Sequence, residues 1–159
     1  MPQTRLDSFD RKLLALVQRD ADLTAEALAG QVGLSASAVL RRLKRLRTDG
    51  VIIAQTAVVD PLKLGKPTFF LTALEIERER PEHIARLRHW LAHEEQVQQV
   101  YYVTGTADFV LVIVAPDVVA YDALMNRLMC DNPNVRRFTT NVALGVGKRS
   151  LYLPVEDID

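Results

Sequence analysis

The hydrophobic rhythm of the chain changes once, at the turn-rich segment PLKLGKP (61–67). Before it, apolar residues recur three and four apart, the period of a helix. After it, short apolar runs alternate with helical stretches. A chain with two rhythms cannot form one helical bundle or one β-sandwich; it must build two units of different class. A length of 159 residues is enough for two small ones. We therefore expect residues 1–52 as one domain, 53–66 as a linking strand and linker, 67–150 as a second domain and 151–159 as a tail.

In the first part, Leu6, Phe9, Leu13, Leu14 and Val17 define a first helix. Thr24 is positioned to cap a second, with Leu28, Ala29 and Val32 inward. Gly33 breaks it, Ser35 can cap a third helix running to about Asp49, and Gly50 ends that helix. Residues 51–60, VIIAQTAVVD, are rich in β-branched side chains and are expected as a wing or linking strand. Beyond the boundary the order is strand 68–77, helix 81–95, strand 96–104, strand 109–115, helix 116–132 and strand 135–147. A β-α-β-β-α-β order is the ferredoxin-like arrangement, so the fold class is α+β.

The net charge is zero, with 20 bases against 20 acids, but it is unevenly spread. Residues 1–52 carry nine bases and six acids, a net +3; the rest carries −3. Five of those bases (Arg41, Arg42, Lys44, Arg45 and Arg47) fall within seven residues of the third helix. On a 100° wheel, Val39, Leu43 and Leu46 form one apolar stripe. Ser37, Arg41, Lys44 and Arg45 lie opposite it, and Arg42 and Arg47 flank it. A capped basic helix behind a short helix and a glycine turn is a helix-turn-helix, whose second helix enters the major groove of double-stranded DNA. The expected contacts are Ser35, Ala36, Ser37, Leu40, Arg41, Arg42, Lys44 and Arg45. The early residues would face base edges, and Lys44 and Arg45 the phosphates. For Arg42, pairing with Asp10 of the first helix is an alternative.

Other chemistry is thin. A single cysteine, Cys130, excludes an internal disulfide and a thiolate metal cluster. His89 and His93 are spaced for a helix face but point away from its apolar stripe and have no third ligand nearby, so no metal is expected. Tyr101 and Tyr102 could stack on RNA, yet the basic glycine-aromatic signature of such sheets is missing. No nucleophile elbow, phosphate loop or paired carboxylate is spaced for catalysis, so neither enzyme activity nor a cofactor is expected. No apolar run reaches the ~20 residues a bilayer span needs, and the first residues lack a secretory core. A cytoplasmic protein without membrane attachment is the expectation.

The chain resembles the Lrp/AsnC (leucine-responsive, feast/famine) family of transcription regulators along nearly its whole length. LDSFDRKLLALVQRDADLT is similar to the opening helix of that family. ALAGQVGLSASAVLRRLKRLRTDGVI is similar to its recognition unit and VDPLKLG to its linker. VTGTADFVLVIVAPD is similar to its glycine-aspartate turn and NPNVRRFTTNVAL to its last strand. The resemblance implies an N-terminal winged helix-turn-helix and a C-terminal ferredoxin-like, ACT-like (βαββαβ) domain for effector binding and assembly. It implies homodimers that build larger assemblies, and a small-molecule effector, an amino acid or relative, bound between subunits. Gly105 and Asp108 match the family turn and Thr140 the family threonine; Tyr102, Thr106 and Ala107 complete the expected effector site. Thr106-Ala107, Phe138 and Asn141 depart from the usual pattern. Two other functions fit the same fold: a sirohaem-decarboxylase-like enzyme, and a nucleoid-type DNA-binding protein indifferent to metabolites.

Overall fold

The computed structural model describes residues 5–78 and 80–155; residues 1–4 of the expected first domain and 156–159 of the expected tail lie outside them. Two compact units are formed, one by the chain up to Val58 together with the tail from Lys148, the other by Val59–Gly147.

The first unit contains α1 (Ser8–Val17), α2 (Ala25–Val32) and α3 (Ala36–Thr48). Each begins at a side-chain cap. Asp7 accepts from the Asp10 N–H at 2.9 Å, Thr24 from Ala27 at 3.2 Å and Ser35 from Ala38 at 3.2 Å. Such caps satisfy amides that a helix start leaves unpaired. Asp10 returns a bond to the Asp7 N–H, completing a capping box. α3 ends as Gly50 enters the left-handed region at φ +71°. Gly50 then donates to the Arg47 carbonyl and Val51 to that of Leu46. Leu13, Leu28, Val39 and Leu46 close the core between the three helices.

No strand forms in residues 51–60, contrary to the expected wing or linking strand. The segment is mostly exposed, and three helices offer no free strand edge to pair its backbone. The tail supplies an unforeseen element instead. The Gln18 amide exchanges two hydrogen bonds with the Leu153 backbone, 2.8 and 3.1 Å. Arg19 lies 5.4 Å from the Tyr152 ring centroid, and Val155 packs on the helical core.

The second unit runs β1 (Thr68–Ile76), α4 (Pro81–His93), β2 (Val97–Tyr102), β3 (Phe109–Ala115), α5 (Val118–Asp131) and β4 (Val135–Val142). The antiparallel sheet has the order β2-β3-β1-β4. Phe70, Leu74, Phe109, Leu111 and Ile113 join Leu87, Leu91, Leu124 and Leu128 of the helices in the core. These strand residues alternate, so the opposite sheet face carries Leu71, Val110, Val112 and Tyr101 without a helix over it. β4 is shorter than expected. Its partner β1 starts at Thr68, and after Val142 only one further bond, from the Ala143 N–H to Phe69, is made.

Candidate nucleic-acid interface and effector turn

The basic helix α3 sorts its charges by partner. Asp10 of α1 is buried, its side chain 1% exposed, at the joint between α1 and α3. Arg42 donates to Asp10 at 2.8 Å and to Asp7 at 2.7 Å, and Arg45 donates to the other Asp10 oxygen. Burial pushes the Asp7 carboxyl up, but the Asp10 amide and the Arg42 guanidinium outweigh it and hold the group below its ordinary value. The same contacts raise Arg42, chiefly the hydrogen bonds from its guanidinium to Asp7 and Asp10. Arg47 bonds Gln55 at 3.0 Å.

Arg42 and Arg45 therefore differ from the expected DNA contacts: both are tied to acids of their own unit. For Arg42 this is the alternative read from its place beside the stripe. Arg45 points outward on the wheel, but its long side chain bends back to a buried carboxylate, because an unpaired charge there is costly. Arg41 and Lys44 are exposed and have no ion-pair partner among the described residues. With Ser35, Ser37 and Leu40 they form the outer, N-terminal face of α3, whereas the side chain of Ala36, expected to face bases, is half-buried against the helical core. Gly33, at φ +74°, makes the turn that presents this face, and Ser35 and Ser37 hydroxyls lie 3.1 Å apart at its tip. Such a face has cations for phosphate, an Arg fork for guanine and free amides at a helix start.

In the second unit, the turn Thr104–Asp108 joins β2 to β3. Gly105 has φ +129°, where only glycine is unstrained. The backbone N–H groups of Thr104, Gly105, Thr106 and Ala107 have no acceptor among the described residues. The Asp108 carboxylate is already engaged within the chain. Its Oδ2 accepts from the Ile76 N–H at 2.7 Å, and its own N–H donates to Leu74, pinning the turn to the end of β1. Tyr102 packs its ring 5.0 Å from Phe109, with the Arg88 guanidinium 5.1 Å away.

Thr140 is not brought to this turn within the chain. It stands opposite Thr72, across β1 from β3, and shares a hydrogen bond with the Tyr121 hydroxyl, which also meets Thr72 at 2.9 Å. Sequence reading missed this hydroxyl chain, since only strand register puts Thr72 beside Thr140. His89 and His93 pack their rings at 4.2 Å, with His93 Nδ1 on the His89 carbonyl at 2.7 Å. No group of three or more metal-ligating side chains occurs among the described residues, and no helix is long and apolar enough to cross a membrane.

A helix-turn-helix with a basic outer face, in one chain with a ferredoxin-like unit, defines a DNA-binding regulator with a separate domain for a second task. Comparison with known proteins agrees. The family model of the AsnC-type helix-turn-helix domain matches residues 6–47, and that of the Lrp/AsnC ligand binding domain matches residues 70–152. An HTH-type transcriptional regulator of Sinorhizobium fredii is 38% identical over 151 residues, 95% of this chain and 89% of that one. The crystal structure of an AsnC family transcriptional regulator from Agrobacterium tumefaciens superposes with a TM-score of 0.83 at 30% identity, covering 94% and 97% of the two chains. The feast or famine regulatory protein from M. tuberculosis complexed with L-methionine gives a TM-score of 0.80 at 28% identity, covering 94% and 99%. The chain belongs to the Lrp/AsnC family of transcription regulators.

Proposed function

We propose that this regulator reads duplex DNA through Ser35, Ser37, Leu40, Arg41 and Lys44, with the backbone amide of Ala36 at the helix start, and that a bound amino acid or related metabolite changes its assembly or DNA affinity. The observation that carries the reading is the sorting of charge on α3: two arginines turned inward to Asp10 and two cations left outward on the helix's leading face. The effector part is supported by the turn at Gly105, whose unpaired N–H groups suit a carboxylate, and by the methionine complex of the M. tuberculosis relative. The family's mode of binding between subunits fits a turn that has donors but, within one chain, neither Thr140 nor a free Asp108 beside it.

Homodimerisation is part of the proposal. The uncovered sheet face bearing Leu71, Val110, Val112 and Tyr101 is apolar enough to pack against its copy. Calorimetry with each of the twenty amino acids, followed by operator affinity with and without those that bind, tests the whole. At least one amino acid is expected to bind and to shift DNA affinity or assembly. No binding at millimolar concentration would overturn the effector reading.

A further inference from the structure

The three helices of the first unit leave one large apolar side chain exposed among the described residues: Leu40, at 58%. It takes no part in the core that holds Val39 and Leu43 on either side of it in sequence. Its helical neighbours are Ala36 and Ser37 on one side and Leu43 and Lys44 on the other; Leu43 is buried and Ala36 half-buried, so Leu40 stands exposed where the polar presented face borders the apolar stripe. A lone leucine there is unexplained by folding, since the apolar stripe is complete without it.

Major-groove edges offer one apolar feature, the 5-methyl group of thymine. The flanking chemistry selects a groove over a protein surface: Arg41 and Lys44 are exposed cations beside Leu40, and no other large apolar side chain of α3 is exposed to extend the patch. We infer that Leu40 is a specificity-determining residue that packs on a thymine methyl within the half-site, so that the preferred operator carries an A·T pair there. The inference rests on the proposed DNA face of α3 and adds a base preference to it.

The test uses the full-length protein. Bound duplexes are first selected from a randomised pool, and each thymine of the selected half-site is then replaced by deoxyuridine, which removes the methyl and keeps base pairing. Wild type is expected to bind about four-fold more weakly at one thymine position, the equivalent of about 0.8 kcal/mol for one buried carbon. Leu40→Ala should bind the thymine and uracil duplexes alike, and Leu40→Met should regain the difference. An exposed position makes Leu40→Ala safe for folding, which a thermal melt checks. If wild type binds its selected site but no uracil substitution matters, or the difference persists in Leu40→Ala, the inference falls and the DNA face stands. If no duplex is bound at all, the DNA face itself falls.

Discussion

Replacing Asp10 by Ala should loosen the DNA-binding unit while leaving the ferredoxin-like unit intact. Two effects combine. The capping-box bond from the Asp7 N–H is lost, about 0.5–1 kcal/mol. Two guanidiniums lose their buried anion. Removing one partner of a fully buried pair costs about 3–5 kcal/mol, but the Arg42 and Arg45 side chains are 22% and 45% exposed and can rehydrate, so about 2 kcal/mol is the better figure. The sum is about 3 kcal/mol, on the order of a 100-fold change in the local opening equilibrium. Native-state hydrogen exchange localises it. Amides of Leu43 and Leu46 should exchange on the order of 100-fold faster, and those of Leu111 and Ile113 at the wild-type rate. Asp10→Asn, which can keep the cap but not the charge, should fall between. If α3 amides accelerate less than about five-fold, or β3 amides accelerate equally, Asp10 is not the centre of this unit.

Tyr121→Phe should destabilise the second unit by about 1–2 kcal/mol in denaturant unfolding, because it leaves the buried Thr72 hydroxyl without its partner; an unchanged midpoint would refute the hydroxyl chain. Asp7 titrates below its ordinary value of 3.8 in the folded protein, so its contribution is fully present above that pH and is lost as pH falls through the lower folded value. Asp7→Asn, which can still cap, should therefore flatten acid unfolding of α1–α3 below pH 4, and an identical acid profile would count against the Asp7–Arg42 pair. Leu71→Asp places a charge on the uncovered sheet face where the side chain is half-exposed, so the fold should survive while the dimer weakens. Light scattering that finds the same mass for both proteins would rule that face out as the interface.

Much of the architecture was legible because its signals are local. The apolar stripe of α3, the caps at Thr24 and Ser35 and the glycine stop at Gly50 each need only a few neighbouring residues, and β3 is a run of apolar residues that could hardly be exposed. What failed was long-range. Residues 51–60 have the composition of a strand, but a strand exists only beside a partner edge, and this unit has none. The pairing of Arg45 with Asp10 has no signal in the wheel, which gives the direction of Cβ, whereas a guanidinium several bonds further out follows the nearest unpaired carboxylate. Thr140 was placed by resemblance. Its actual neighbours, Thr72 and Tyr121, come from strand register and a helix packed behind the sheet, neither of which spacing encodes. The tail contact at Gln18 has no periodic signature at all.

Which cations of α3 meet DNA decides how this unit reads it, and salt dependence counts them directly. Duplex affinity should be measured from low to moderate salt for wild type, Arg41→Ala, Lys44→Ala and Arg42→Ala, each checked for folding. Wild type should give a linear log–log plot, falling by about 0.9 per neutralised phosphate. Lys44→Ala should flatten that slope by about 0.9 per bound head, and Arg41→Ala should weaken binding chiefly at the preferred site if it reads guanine. Folded Arg42→Ala should keep the wild-type slope. A slope unchanged by Lys44→Ala but flattened by Arg42→Ala would place the DNA on the opposite face of α3 and contradict the assignment of Arg41 and Lys44 to the duplex.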